Sequence, residues 1–162
     1  SDLMSDPQWR AGFKLLEVFG GSFEVQIWPW QLQEAARLAN DIPEVHIILG
    51  HTPMPIGRSP GELREWRKGL EALGTAPNIS AKISALGMLD QQWTTESITP
   101  FVLDAIDILG VDRCMFASNF PVDSLFSDYA TLWNAYSDIT SDFSDSDRTK
   151  LFHDNAEKYY RI

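Results

Sequence analysis

The sequence predicts an α/β fold in which parallel strands alternate with helices. Short segments that are continuously apolar, or that alternate apolar and polar residues, are separated by longer segments whose apolar residues recur at helical spacing. This alternation is typical of parallel strands joined by helical crossovers. The chain has 162 residues, of which 44% are hydrophobic, and can bury the core of one domain. We therefore expect residues 1–162 to form a single domain.

Four strands are predicted from the hydrophobic pattern. They are residues 23–28, 45–49, 78–84 and 114–119. The first and third alternate in polarity, so their polar side chains, such as Glu24 and Lys82, point away from the apolar side that helices cover. The second strand is apolar apart from His46, which is typical of a strand buried on both faces.

Six helices are predicted before, between and after these strands. The first begins at Pro7 and ends before Gly20. A capping box formed by Ser59 and Glu62 marks the start of the third helix, and a similar motif begins the last one at Ser144. The predicted spans are 7–19, 30–40, 60–73, 99–110, 128–139 and 145–159.

The charge and cysteine content exclude several classes of protein. Acidic residues outnumber basic residues by 23 to 13, giving a formal net charge of −10, which disfavours nucleic acid and anionic membrane surfaces as partners. The single cysteine, Cys114, excludes a disulfide framework and a cysteine-rich zinc module, so a reducing, cytoplasmic location is expected. The sequence has no apolar run near the roughly 20 residues of a membrane span and no signal-peptide pattern.

Polar and aromatic residues follow the predicted strands. Trp28, His51, Ser84 and Asn119 stand at their carboxyl ends, with Asp123 just beyond the last. Four such strands form a small open sheet or part of a (β/α)8 barrel. No glycine-rich phosphate loop follows any strand, whereas in a barrel these ends form the rim of the active site. A complete barrel typically needs about 250 residues, so this chain has room for about half.

Five motifs occur in order over nearly the whole chain. They are "FEVQIWPWQL", "ILGHTPMP", "NISAKISALGM", "RCMFASNFPVD" and "LFHDNAEKYYRI". They resemble the amidohydrolase-2 group of the amidohydrolase superfamily, a branch of metal-dependent TIM-barrel hydrolases that includes lactonases. The resemblance implies that the chain is the C-terminal part, about strands four to eight, of a (β/α)8 TIM barrel. The family's N-terminal His-x-His pair has no counterpart among His46, His51 and His153, which implies that the N-terminal strands are absent.

The same resemblance numbers the strands. Residues 23–28, 45–49 and 78–84 correspond to the fourth, fifth and sixth barrel strands, and residues 114–119 correspond to the eighth. The seventh strand is either a short segment near residues 85–93 or poorly formed.

The resemblance also implies a role for His51. In this superfamily the histidine that ends the fifth strand is a metal ligand, with zinc as the expected divalent metal, or it polarises the carbonyl of a small-molecule substrate. A neutral imidazole at a strand end is suited to either task. His46 points to the opposite face of the strand and His153 lies in the terminal helix, so we expect both to be structural or surface groups.

The last strand departs from the family pattern. The family carries an Asp there as metal ligand and general base, and Asn119 occupies that position here. An amide does not take a proton from water at neutral pH and is a weak metal ligand. Three alternatives stay open: Asp123 carries the chemistry, the subgroup binds differently, or the protein is not a hydrolase.

Four further side chains are candidates for substrate binding. They are Gln26, Trp28, Arg58 and Lys82. A buried lysine costs several kcal/mol unless it is paired, so Lys82 is predicted to pair with Glu24, in a structural or a substrate-binding role. Arg58 is suited to clamping a substrate carboxylate or is an ordinary surface residue. Trp28 either walls the pocket or packs in the core.

Two functions are compatible with this sequence. The leading hypothesis is a hydrolase that opens a lactone or related carbonyl compound with activated water. The alternative is an inactive barrel fragment or pseudo-enzyme that binds a small ligand or a partner chain. A partial barrel leaves strand edges unpaired, and we expect it to expose Val45, Ile47, Leu49 and Ala117. Self-association, or pairing with the missing N-terminal half, is therefore predicted.

Overall fold

The computed structural model describes residues 3–162, in which four parallel strands form a sheet in the order β1-β2-β3-β4. The strands are β1 (Ser22–Val25), β2 (His46–Leu49), β3 (Ile79–Ile83) and β4 (Cys114–Phe116). Each strand pairs with the next one along the chain. The predicted α/β fold with a parallel sheet is confirmed, and every strand is shorter than its predicted segment.

Eight α-helices are present within residues 3–162. They are α1 (Pro7–Lys14), α2 (Leu32–Asp41), α3 (Pro60–Gly74), α4 (Leu86–Leu89), α5 (Thr95–Leu109), α6 (Tyr129–Ile139), α7 (Asp145–Thr149) and α8 (Asn155–Tyr160). A π-helical turn, Lys150–Asp154, joins α7 to α8. Short 3-10 helices span Leu3–Ser5, Pro29–Gln31, Val111–Arg113 and Val122–Leu125. None of the helices in this part of the chain has both the length and the apolar character needed to cross a membrane.

The strand register divides the sheet into two faces. One face, called the inner face below, is formed by Glu24, His46, Ile48, Ser80, Lys82 and Met115. The residues that alternate with these belong to the hydrophobic core that the sheet shares with the helices. Val45, Ile47 and Leu49 are on this helix-covered side and are at most 1% exposed. The expectation that they would be exposed is wrong, because they alternate with the inner-face residues of β2.

The helices close over the other face of the sheet. Leu32 of α2, Leu70 of α3, Val102 of α5 and Leu132 of α6 are all buried in one core. Helices α2 and α3 approach so closely at Gly69 that a Cβ atom there would lie 2.4 Å from a methyl carbon of Leu32. Only glycine allows this approach.

Helix α5 begins earlier than the sequence predicts. The prediction placed its start at Thr99-Pro100, but Thr94 is the N-cap and its side chain accepts a hydrogen bond from the backbone N–H of Ser97. Pro100 therefore lies inside the helix. At the predicted cap, by contrast, the Thr99 hydroxyl bonds back to the carbonyl of Thr95, four residues earlier, which is a helix-interior geometry.

The segment near residues 85–93 does not form a strand. Ala85 has φ = 59°, a left-handed conformation that cannot continue a strand, and α4 follows it. Strands β3 and β4 then pair directly, from Ala81 with Cys114 to Ile83 with Phe116. Within residues 3–162 no strand lies between them.

Candidate functional site

The turn that follows β2 has an unusual backbone. Gly50 donates its N–H to the carbonyl of Val25 at 2.8 Å, and the chain then leaves the sheet. His51, Thr52 and Met54 have φ values of 60°, 53° and 43°. Positive φ is uncommon for residues other than glycine and is strained for a β-branched residue such as threonine. This turn places the imidazole at the carboxyl edge of the sheet.

A neighbouring turn fixes the orientation of that imidazole. His51 Nδ1 lies 3.0 Å from the hydroxyl of Ser84, the first residue after β3. The Thr52 hydroxyl accepts a hydrogen bond from the Ser84 N–H at 3.0 Å and donates one to its carbonyl at 3.2 Å. If the Ser84 hydroxyl donates to Nδ1, Nε2 carries a proton that it can donate. In the other tautomer, Nε2 offers a lone pair.

The surroundings of His51 favour the neutral imidazole. Burial lowers the pKa of His51, and the positive charge of Lys82 lowers it further, whereas Glu24 acts in the opposite direction. With its pKa below the usual 6.5, the ring is neutral at pH 7. A neutral imidazole can serve as a hydrogen-bond donor or as a ligand.

Asn119 and Asp123 form a second polar group after β4. The Asn119 Nδ2 donates to the Asp123 Oδ1 at 2.8 Å and lies 3.2 Å from the sulfur of Met88 in α4, which begins two residues after Ser84. Asp123 is only 2% exposed. Burial raises the pKa of the Asp123 carboxyl, and the hydrogen bond from Asn119 partly opposes the rise. The amide that replaces the expected acid therefore holds a buried carboxyl group at this edge of the sheet.

The predicted ion pair between Lys82 and Glu24 is confirmed. Lys82 Nζ lies 2.5 Å from Glu24 Oε1 across the inner face, and the lysine side chain is 19% exposed. The other carboxylate oxygen, Oε2, accepts a hydrogen bond from the hydroxyl of Tyr160 at 2.6 Å. Burial opposes ionisation of Glu24, but the hydrogen bonds from Lys82 and Tyr160 outweigh it, so the pKa of Glu24 is below its usual value.

The remaining predicted site residues are more dispersed. Gln26 is exposed, and its side-chain nitrogen lies 3.8 Å from the sulfur of Met54 in the His51 turn. Trp28 is 39% exposed and stacks on Trp30 at 5.6 Å between ring centroids. Arg58 lies in the loop before α3, and its guanidinium packs over the Phe101 ring of α5, 4.1 Å from the ring centre.

His46 lies on the inner face, contrary to the prediction. Its Nε2 lies 2.9 Å from the Ser80 hydroxyl, and its ring stacks on Tyr159 at 4.5 Å. The register pairs His46 with Ser22 at the amino end of β1, so it lies at the opposite end of the strands from His51. Both contacts are with residues of the fold itself, and a structural role for His46 stays a prediction. His153 is exposed on the π-helical turn, also as expected.

The described residues do not form a three-ligand metal site at His51. A zinc site needs about three protein ligands. Within residues 3–162, the one group of three His, Cys, Asp or Glu side chains close enough to share an ion is His153, Asp154 and Glu157, all exposed. His51 has no such companions in this part of the chain.

Comparison with protein families identifies the fold. The amidohydrolase family model matches residues 1–162. The chain belongs to the amidohydrolase family. A zinc-bound crystal structure of an amidohydrolase from Burkholderia multivorans superimposes with a TM-score of 0.91 at 22% identity, covering 98% of this chain and 59% of that one. This likeness to a TIM-barrel enzyme supports the partial-barrel interpretation.

Two curated relatives extend the comparison. This amidohydrolase chain is 52% identical over 156 residues to the uncharacterised protein y4mH of Sinorhizobium fredii, covering 96% of this chain and 52% of the relative. It is 25% identical over 185 residues to an L-rhamnono-gamma-lactonase of Scheffersomyces stipitis, covering 98% and 55%. The chain therefore spans about half the length of the curated relatives that it matches.

Sequence reasoning missed three residues that shape the candidate site. Ser84 was recognised as a strand-end residue, but its contact with His51 depends on the turn geometry. Thr52 links the two turns through its hydroxyl, and no sequence signal indicates this. Tyr160 reaches Glu24 from 136 positions away along the chain, a separation over which local patterns carry no information.

Proposed function

We propose that the protein is a hydrolase that opens a lactone or a related carbonyl compound with activated water. The observation that carries this proposal is the pair of groups at the carboxyl edge of the sheet. One is the neutral imidazole of His51, held by Ser84, and the other is the buried carboxyl group of Asp123, held by Asn119. Membership of the amidohydrolase family and the likeness to a lactonase support it.

In the proposed reaction, Asp123 acts as the general base. It takes a proton from water as the water oxygen forms a bond to the ring carbonyl carbon. Burial raises the pKa of Asp123 and so makes its carboxylate a stronger base than an exposed one. His51 donates its Nε2 proton in a hydrogen bond to the carbonyl oxygen, where negative charge develops. The bond from the carbonyl carbon to the ring oxygen then breaks, the ring oxygen takes the proton from Asp123, and a hydroxy acid leaves.

Four residues are proposed to bind the substrate. Lys82 and Gln26 offer N–H donors on or beside the inner face, and Trp28 offers an apolar ring at the rim. Arg58 is proposed to bind an acidic substituent, because a guanidinium stacked on an aromatic ring keeps its N–H groups free for a carboxylate. These assignments make a polar, oxygen-rich lactone the best match.

A panel of sugar lactones and cyclic dicarboxylate lactones tests this function. Hydrolysis is followed by proton release with the intact protein. His51→Asn and Asp123→Asn are each expected to lower kcat/KM by about 100-fold or more. His153→Asn is the matched control, because His153 is exposed on the π-helical turn, and it should leave kcat/KM unchanged. Full activity of His51→Asn or Asp123→Asn would refute the assigned roles.

Asn119 supports a second candidate function. Because an amide stands where the family carries an acid, a protein that binds a lactone without hydrolysing it is the alternative. The same panel separates the two functions when binding is measured in parallel by calorimetry. Saturable binding with no proton release in any sample would favour the pseudo-enzyme.

We further propose that the intact protein pairs its outer strands with other strands. Within residues 3–162, β1 and β4 are the edges of the sheet, and exposed edges recruit further strands. These would come from a second copy or from another segment of the same protein. Sedimentation equilibrium and amide hydrogen exchange test this. A monomer whose β1 and β4 edge amides exchange freely would contradict it.

A further inference from the structure

A network of three side chains crosses the inner face. The two oxygens of the Glu24 carboxylate have different partners: Oε1 accepts from Lys82 Nζ at 2.5 Å, and Oε2 accepts from the Tyr160 hydroxyl at 2.6 Å. The Tyr160 ring also faces Lys82, with Nζ 6.0 Å from the ring centroid. The ammonium is therefore held by a carboxylate that is itself held by a phenol.

This network is hydrogen-bonded to the turn after β2 that carries His51 and Thr52. The backbone carbonyl of Lys82 accepts a hydrogen bond from the N–H of Thr52 at 2.9 Å. The charges of Lys82 and Glu24 both act on the His51 imidazole. A displacement of the lysine side chain would therefore change the electrostatic environment of His51 at the carboxyl edge of the sheet.

The phenol of Tyr160 is a permanent donor in this network. Burial, together with the hydrogen bond to Glu24 and the charge of that carboxylate, raises the pKa of Tyr160 well above its usual value. Tyr160 thus stays protonated and Glu24 ionised at neutral pH. A hydrogen bond to a charged acceptor is stronger than one between neutral groups.

The position of the Tyr160 side chain does not depend on its hydroxyl. The preceding residue, Tyr159, stacks on His46 and donates its hydroxyl to the carbonyl of Asp112 at 2.8 Å. On the other side, the Arg161 side chain donates to the carbonyl of Gly20. These contacts anchor the end of α8, so the Tyr160 hydroxyl acts on Glu24 rather than on the helix.

We propose that Tyr160 is a positioning residue, which fixes the Lys82 ammonium through Glu24 so that Lys82 binds an oxygen atom of the substrate. This rests on the proposed lactone hydrolysis. A lysine side chain has four rotatable bonds, and ordering such a chain during binding weakens affinity. A lysine side chain that other contacts already hold in place avoids this loss of affinity.

The test is Tyr160→Phe in the intact protein, with Tyr159→Phe as matched control. Both variants lose one hydroxyl from adjacent residues of α8, but only the first loses a contact with the network. Tyr160→Phe is expected to raise KM about three- to tenfold with little change in kcat. Tyr159→Phe should leave KM unchanged, because its ring still stacks on His46 and Arg161 still holds the end of α8. In a Lys82→Met background, Tyr160→Phe should have no further effect on KM, because the coupled group is gone.

A second readout does not depend on catalysis. The ammonium protons of Lys82 are expected to give a resolved ¹H–¹⁵N signal while Nζ is held by Glu24, assigned by its loss in Lys82→Met. This signal should broaden in Tyr160→Phe and persist in Tyr159→Phe. If no lactone is hydrolysed, the proposed function fails and this signal alone decides the positioning role. An unchanged signal, or an equal rise in KM with and without Lys82, would overturn the inference.

Discussion

Protonation of His46 is expected to destabilise the fold below neutral pH. The His46 ring stacks on Tyr159, and its Nε2 contacts the Ser80 hydroxyl. Burial, with the positive charges of Lys158 and Arg161, lowers the pKa of His46 from 6.5 to about 4. His46 therefore binds a proton less readily in the folded protein than in the unfolded chain.

The sign and size of the effect follow from this shift. Above pH 6.5 His46 is neutral in both states, and the stability is fully present. Between pH 6.5 and about 4 the unfolded chain binds the proton and the folded chain does not, so stability falls as the pH falls. At about 1.4 kcal/mol per pKa unit, the full loss is about 3 kcal/mol, of which about 2 kcal/mol is lost between pH 7 and pH 5.

Urea unfolding of the wild type and of His46→Gln at pH 7 and pH 5 measures this loss. The variant removes the titrating group, so its free energy of unfolding should fall about 2 kcal/mol less than that of the wild type over this range. His153→Gln is the control, because His153 is exposed and its pKa is raised by the hydrogen bond to Asp154. The stability of His153→Gln should fall between pH 7 and pH 5 by at least as much as that of the wild type. Equal acid sensitivity of the wild type and His46→Gln would refute the reasoning.

Two substitutions, together with Gly12→Ala as a control, test the packing and the imidazole geometry. Gly69→Ala is expected to lower the free energy of unfolding by about 1–2 kcal/mol, because the new Cβ would lie 2.4 Å from Leu32. In the same urea assay, Gly12→Ala should stabilise the protein slightly, because no atom lies within 4 Å of its new Cβ. Ser84→Ala is expected to free the tautomer of His51 and lower kcat/KM about 10- to 100-fold. Long-range ¹H–¹⁵N spectra of the ring nitrogens would then move toward averaged shifts, and unchanged shifts would argue against a role for Ser84.

The fold could be predicted because its determinants are local. The capping box of Ser59 and Glu62 and the cap at Ser144 appear in the structure as the sequence indicates. The start of α5 was missed because two threonine motifs compete, and Thr94 caps the helix while Pro100 is accommodated inside it. For the segment after β3 the sequence left a short strand and a poorly formed one open, because residue type alone does not reveal the left-handed conformation of Ala85 that ends β3.

The candidate site was only partly predictable. The pairing of Lys82 with Glu24 followed from strand alternation and from the cost of an unpaired inner-face lysine. The Tyr160 contact depends on how the terminal helices, with their π-helical turn, return across the sheet to β1. That path is a property of the tertiary fold, and no window of sequence contains it.

The placement of His46 shows where counting residues along a strand fails to assign a side chain to a face. Strand alternation puts residues 46 and 51 on opposite faces, and the prediction followed from that count. The strand ends at Leu49, however, and the left-handed residues His51 and Thr52 break the alternation. The charges of Lys82 and Glu24 on the inner face consequently act on His51, although its residue number assigns it to the helix-covered side.

Backbone strain gives an independent reason to place the site at the carboxyl edge of the sheet. Non-glycine residues with positive φ follow three of the strands: His51, Thr52 and Met54 after β2, Ala85 after β3 and Asn119 after β4. Such conformations cost on the order of 1 kcal/mol or more each, and glycine would relieve the cost at any of them. At His51 and Asn119, glycine would also remove the imidazole and the amide that hold the proposed chemistry. Strain is thus retained at two positions whose side chains take part in the proposed chemistry, and this supports placing the proposed site at this edge.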